Sequence, residues 1–205
     1  MVGRAVLSPP RARNLLRGAV RTPRPTILLS TLDLRLSTNM EPIIDLQSDH
    51  YFMGEALRQA ARAYEAEEVP VGAVIVRAGR IIARAYNQVE LLKDATAHAE
   101  MLALTQAEEA VDDWRLTDCT LYVTKEPCPM CAGAVVHTRL ERVVFGASDS
   151  KGGAAGSAVN LLQFPTLNHQ CAITSGVREA ECRSLLQSFF AEQREKNKGS
   201  NGKEP

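Results

Sequence analysis

His98-Ala99-Glu100 and, 27 residues beyond Glu100, Pro127-Cys128-Pro129-Met130-Cys131 most constrain how this chain can fold. One imidazole and two thiols are ligand types that suit Zn²⁺, and three of them leave a tetrahedral ion one open position. The cysteines follow Thr120–Thr124 (TLYVT), a run rich in β-formers, and a short bridge of Lys125, Glu126 and Pro127. The spacing predicts a helix over Cys128–His137, with Pro129 near its first position, where a missing N–H has no intrahelical partner to lose. Residues three apart share a helix face, so both sulfurs can reach one ion. The dipole at a helix N-terminus also favours thiolates. His98 and Glu100 fall near the start of a preceding helix, about Ala97–Val111, with Thr96 as its cap. Two residues apart in a regular helix means nearly opposite faces. In a first turn, however, His98 can point along the axis while Glu100 approaches from the wall.

The remaining pattern is α/β. Ser48 or Asp49 can cap a helix in which Met53, Ala56, Leu57, Ala60 and Tyr64 share a face. Val71–Arg77 and Arg80–Tyr86 read as strands around an Ala78-Gly79 turn, and Arg142–Gly146 (RVVFG) as a further strand. A last helix opens near Arg178, with Cys182, Leu185, Leu186, Phe189 and Phe190 at helical spacing. A hairpin followed by helix, strand, helix and strand implies one partly parallel sheet with helices on its faces. A length of 205 residues suits one domain with tails. No apolar run approaches the roughly 18 residues that suggest a membrane span.

Three segments are expected. Residues 40–194 form the folded domain, and the polar stretch 195–205 a flexible tail. Residues 1–39 form a disordered extension without sustained periodicity, containing Pro9, Pro10, Pro23 and Pro25. That extension holds seven Arg, no Lys and one acid (Asp33), which is the composition of an organellar transit peptide. The alternative is a true start at Met40, and it is preferred because nothing in the folded part asks for an organelle. Net charge is zero overall, so the other 166 residues carry 17 basic and 23 acidic side chains. An acidic body disfavours nucleic-acid binding through bulk charge and leaves only a local basic rim to do it. Five cysteines, with one C-x-x-C pair and three scattered, argue against a disulfide framework and for a reducing compartment, hence the cytoplasm.

A structural zinc ribbon is one other reading of C-x-x-C, but such sites use four ligands, often as two pairs. The candidates for a fourth here are isolated: Cys119, Cys171, Cys182, His50, His137 and His169. A redox C-x-x-C is another, and it leaves His98 and Glu100 without a purpose. A catalytic zinc, one per subunit, accounts for all four residues. Zinc brings the pKa of bound water to about 7. Glu100, not needed as a ligand, would then carry protons, which requires burial to lift it above the about 4.3 of a free glutamate.

H-x-E…P-C-x-x-C is the known signature of zinc-dependent nucleobase deaminases. From about residue 49 to 194 the chain resembles the bacterial tRNA-specific adenosine deaminase family. The resemblance is carried by EVPVGAV (Glu68–Val74), Asn87, TAHAE (Thr96–Glu100), LYVTKEPCPMCAGA (Leu121–Ala134), RVVFGASDSKGGAAGS (Arg142–Ser157), Leu167-Asn168-His169 and Phe189-Phe190. It implies a three-layer α-β-α sandwich of the cytidine-deaminase type, with a central mixed five-stranded sheet. It also implies conversion of adenosine to inosine at the wobble position of a tRNA anticodon stem-loop, in an arginine tRNA, by a homodimer with no membrane attachment. By position, His98, Cys128 and Cys131 correspond to zinc ligands and Glu100 to the catalytic proton shuttle. The Asn87 side chain and the Ala99 N–H resemble base contacts, and Val71 the apolar wall. Asp149 resembles a ribose contact and is equally readable as a loop-turn aspartate. Lys151, with Gly152, Gly153 and Gly156, would let a backbone run close beneath the RNA, and Phe190 would stack near a flanking base, although Phe189 and Phe190 also extend a core stripe. A free-nucleobase or nucleoside deaminase of guanine or cytosine type is the alternative. A catalytically inactive zinc-bound subunit is disfavoured because Glu100 is present. The terminal helix (Ala191-Glu192-Gln193-Arg194-Glu195-Lys196) is poorer in arginine than the family's, and Val89–Lys93 departs from its pocket rim.

Overall fold

Ser48 starts the first helix. Its backbone is extended (φ −79°, ψ 151°) and its hydroxyl accepts from the Tyr51 N–H, capping α1 over Asp49–Glu65. The computed structural model describes residues 45–201. Beyond α1 these form β1 (Gly72–Arg77), β2 (Arg80–Tyr86), α2 (Val89–Leu92), α3 (Ala99–Val111) and β3 (Cys119–Lys125). They continue with α4 (Pro129–His137), β4 (Arg142–Ala147), β5 (Ala172–Thr174) and α5 (Glu179–Asn201). Ala78 (φ 47°) and Gly79 (φ 73°) both occupy the left-handed region, the turn geometry that matches the twist of a tight hairpin.

The sheet runs β2-β1-β3-β4-β5, with β1 antiparallel to β2 and β3, and β3, β4 and β5 mutually parallel. Alternation along the central strands assigns each face its own helices. Ala73, Ile75, Leu121, Val123, Val143 and Phe145 pack with Ala103 and Ala107 of α3 and Ala132 and Val135 of α4. Their neighbours Val74, Val76, Tyr122 and Val144 pack with Phe52, Met53 and Ala56 of α1 and Cys182 of α5. This is the expected three-layer α-β-α sandwich on a mixed five-stranded sheet. Helix α1 lies very close to β1: a Cβ on Gly72 would fall 2.1 Å from the Ala56 carbonyl oxygen, so only glycine fits there.

The structure departs from the sequence expectations at several places. Helix α3 begins at Ala99 with His98 as its N-cap, not Thr96, whose N–H (2.8 Å) and hydroxyl (2.7 Å) both donate to Asp94 Oδ1 in the preceding turn. The short elements α2 and β5 carry too few residues for a periodic signal. Helix α5 opens one residue after Arg178, which is left-handed (φ 53°), and continues through the expected tail as far as Asn201. Lys196 there reaches Glu67 (2.6 Å). Among the described residues no helix is long and apolar enough to cross a membrane. The expectations for residues 1–39 lie outside the described residues, as do positions 202–205.

Candidate active site

The site gathers at one edge of the sheet. Val71 precedes β1, Asn87 follows β2, and Lys125 and Ala147 close β3 and β4 in register with each other. Strand order makes these four ends neighbours, and loops beyond the carboxyl ends of parallel strands are where α/β folds leave room for ligands. Helices α3 and α4 both present their N-termini there.

His98 and Cys128 are the two N-caps. Each has extended backbone (φ −70°, ψ 151° and φ −73°, ψ 171°), so neither side chain follows helical geometry. That removes the opposed-face problem for His98 and Glu100, since only Glu100 belongs to the helix. Cys131 stands one turn into α4, behind Pro129 in the first turn. His98 Nδ1 lies 3.7 Å from Cys128 Sγ and 3.5 Å from Cys131 Sγ, and the sulfurs are 3.6 Å apart. Zinc bonds of about 2.3 Å to sulfur and about 2.05 Å to nitrogen set tetrahedral edges of about 3.8 Å and 3.6 Å. The observed triangle therefore fits one face of a tetrahedral zinc site. It is the only metal-sized group of such ligands among the described residues. The two sulfurs are in hydrogen-bond contact, which draws the Cys128 thiol down to about 3, while that contact and burial push the Cys131 thiol up. A divalent cation bound by these three groups would hold both sulfurs as thiolates.

Glu100 is 4 % exposed, and burial raises its carboxyl above the ordinary glutamate range. It lines a cleft of about 640 Å³ together with His98, Cys128, Val71, Asn87 and Phe190. That volume lies within the roughly 300–1,000 Å³ of small-molecule sites. Six of the ten residues singled out from sequence thus meet around one space. Cys131 sits behind the wall with its sulfur in the metal triangle, and Ala99 is fully buried at the first turn of α3. Phe189 is buried against Tyr64 and Phe190 is 45 % exposed, and both line the cleft.

Asp149 and Lys151 are not among the lining residues. Asp149 Oδ2 accepts from Lys125 Nζ (2.6 Å), and its Oδ1 accepts from the N–H groups of Lys151 and Gly152. Lys125 holds its carboxyl down at about 2. Asp149 therefore folds its own loop while gripping Lys125, which does line the cleft. Lys151 is exposed. Asn168 accepts from Arg139, and His169 Nε2 meets the Leu140 carbonyl (2.7 Å), so this pair pins a loop to the α4–β4 turn.

Two buried acids escape sequence reasoning. Glu68 accepts from Asn87 and from the Leu91 N–H. Glu126 accepts from the N–H groups of Asp149, Ala155 and Ser157 at 2.9–3.0 Å. Burial opposes its charge, but these donors outweigh it and lower its pKa. The only sequence signal is an acid beside proline at a strand end, which is weak. Gly153 is required at this anchor, since a Cβ would lie 2.3 Å from the Glu126 carboxylate. Glu126→Ala strands three N–H groups, at about 1–3 kcal/mol each when nothing replaces the partner. A destabilisation of about 3 kcal/mol or more is expected by urea denaturation. A loss below about 1 kcal/mol would show that the loop does not depend on this carboxylate.

Residues 47–194 match the family model for MafB19-like deaminases. The chain is 52% identical over 155 residues to a tRNA-specific adenosine deaminase of Bacillus subtilis (strain 168), a match spanning 76% of this chain and 96% of the relative. It is 45% identical over 160 residues to a chloroplastic tRNA(adenine(34)) deaminase of Arabidopsis thaliana, spanning 69% of this chain and 12% of that longer protein. A solved chain from studies of A-to-I editing by tRNA:A34 deaminases at the wobble position is 46% identical. It covers 66% of this chain and 99% of its own length, with a TM-score of 0.64. A guanine deaminase from Nitrosomonas europaea is 25% identical, covering 70% of this chain and 85% of its own, with a TM-score of 0.62.

Proposed function

The chain belongs to the tRNA-specific adenosine deaminase family, and from that premise we propose that it converts adenosine to inosine at the wobble position of a tRNA anticodon, releasing ammonia. One observation carries this reading: the His98, Cys128 and Cys131 donor triangle and the buried Glu100 carboxyl open on the same cleft as Asn87 and Val71. The donor set and its edges fit zinc, which when bound supplies water acidified to a pKa of about 7. The chain's own residues do the rest. Glu100 takes a proton from the attacking water and passes it to N1 of the adenine ring. It then takes the proton of the hydroxyl added at C6 and delivers it to the 6-amino nitrogen, so that the carbonyl forms as the C6–N bond breaks and ammonia leaves. Val71 supplies the apolar wall, Asn87 a polar contact to the base, and Phe190 a face on which a neighbouring base can stack. The Ala99 N–H contact and the ribose and backbone contacts of Asp149 and Lys151 are carried over from the family pattern. For Asp149 the grip on Lys125 makes a loop-anchoring part in any such contact.

The arginine tRNA and the homodimer come from family resemblance. A dimer predicts a solution mass of twice the 22.4 kDa chain. All five cysteines are unpaired, which suits a reducing compartment such as the cytoplasm. The relatives at 52% and 46% identity favour tRNA over the free base suggested by the guanine deaminase at 25%. The deciding experiment incubates purified protein with an anticodon stem-loop carrying adenosine at the wobble position, against free guanine, cytosine and adenosine. Inosine formed in the RNA alone is the expected result. Turnover of a free base with unreacted RNA would overturn it.

A further inference from the structure

The structure assigns Glu68 a positioning role: its carboxylate fixes which edge of the Asn87 amide the substrate base meets. The inference rests on Asn87 being a base contact and adds what makes that contact selective.

An asparagine amide is nearly symmetric in shape, and a half-turn about its last bond exchanges an acceptor for a donor. Something beside Asn87 must choose. Glu68 Oε2 accepts from Asn87 Nδ2 at 3.1 Å, with the two residues 1 % and 6 % exposed. A carboxylate only accepts, so the NH₂ edge of Asn87 must face it. The edge left for the cleft is the carbonyl oxygen Oδ1, alongside the second N–H. The other carboxylate oxygen, Oε1, accepts from the Leu91 N–H of α2 at 2.8 Å, which ties the same residue to the rim. Backbone bonds hold the assembly in place: Glu68 N–H donates to the Ala63 carbonyl and Asn87 N–H to that of Val71.

The arrangement is costly for mere packing. The partners of the buried Glu68 carboxylate are the neutral Asn87 Nδ2 and Leu91 N–H groups, one on each oxygen. Glutamine would fill the space without that cost, but it offers one acceptor and one donor. With Leu91 N–H immovable in the backbone, a glutamine would keep its oxygen there and turn its NH₂ toward Asn87. Asn87 would then flip and offer the cleft its NH₂ edge. Glu68→Gln therefore inverts the polarity of the base contact with almost no change in shape.

The test uses Glu68→Gln, Asn87→Ala and the double variant, assayed on the stem-loop RNA with adenosine at the wobble position. Glu68→Gln is expected to lower kcat/KM by about 30- to 100-fold, mainly through KM, as for a buried hydrogen-bond mismatch. Zinc content and far-ultraviolet circular dichroism stay unchanged. In the Asn87→Ala background the same substitution should change kcat/KM less than threefold, since the group it acts through is gone. A full additional loss in that background overturns the inference, and so does wild-type kcat/KM in Glu68→Gln alone. If Glu68→Gln folds poorly, a fall in kcat at unchanged KM marks a smaller active fraction and also overturns it. Unchanged kcat/KM in Asn87→Ala would remove the base contact itself, an outcome distinct from Glu68 acting elsewhere.

Discussion

Cys128→Ala is expected to abolish turnover and to take zinc from one equivalent per chain to almost none. Cys128 is the N-cap of α4, and its Sγ closes two of the three edges of the donor triangle, 3.6 and 3.7 Å. Without it, Cys131 Sγ and His98 Nδ1 remain 3.5 Å apart, a pair that leaves a tetrahedral ion half exposed to water. The fold should survive. The cluster between the sheet and α3–α4, with Ile75, Leu121, Val123, Val135 and Val143 fully buried, includes neither Cys128 nor His98. Loss of an ion present at about 1,000 times its dissociation constant removes about 4 kcal/mol of apparent stability. At roughly 2–4 °C per kcal/mol in a chain of this size, melting should fall by about 8–16 °C while remaining cooperative. Metal analysis, thermal melting and inosine formation on one preparation check all three statements. A variant that keeps a full equivalent of zinc and turns over within tenfold of the parent would remove Cys128 from the ligand set. A variant that is unfolded throughout would make the site structural instead of catalytic.

What the sequence made legible at this site is the part that metal chemistry writes at fixed spacing. Cys128 and Cys131 had to meet at one helix N-terminus, although Cys128 caps that helix instead of sharing its face, and the sheet end they sit on followed from the strand before them. What it concealed was set by contacts between distant segments. His98 caps α3 while Thr96 donates back to Asp94 in the turn before it, a local arrangement that propensity does not rank. Glu68 and Glu126 look like ordinary charged residues at strand ends. Their partners lie 19 to 31 residues further along the chain and meet them only when the sheet forms. Phe189 and Phe190 shared one helical stripe, and both meet the cleft, the first buried against Tyr64 and the second exposed. Asp149 shows the opposite case. A residue that resemblance marks for substrate contact is, in the folded chain, already occupied by Lys125 and two loop amides.

Glu100→Gln should cost at least about a thousandfold in kcat while leaving KM and zinc content nearly unchanged. The substitution keeps the volume of a side chain that is 4 % exposed at the first turn of α3, so it creates no cavity. It removes the cleft carboxyl two residues from His98, which can both receive the water's proton and deliver protons to the ring and the leaving amine. General acid–base transfer by a positioned side chain contributes about 10²–10⁴-fold, and here the same carboxyl acts at more than one step. Because that contribution arises only as bonds are made and broken, the loss should fall on kcat. Stability should move in the other direction. A carboxylate enclosed by protein is disfavoured, as the upward shift of Glu100 by burial shows, and a neutral amide is free of that penalty. The variant should therefore melt no lower than the parent, separating lost chemistry from lost structure. Single-turnover assays on the stem-loop RNA, read beside metal analysis, decide the matter. A zinc-loaded Glu100→Gln protein working within tenfold of the parent rate would mean that the proton travels by another group. In that event Glu68 and Glu126, the two other deeply buried acids on the cleft wall, would be the next to replace.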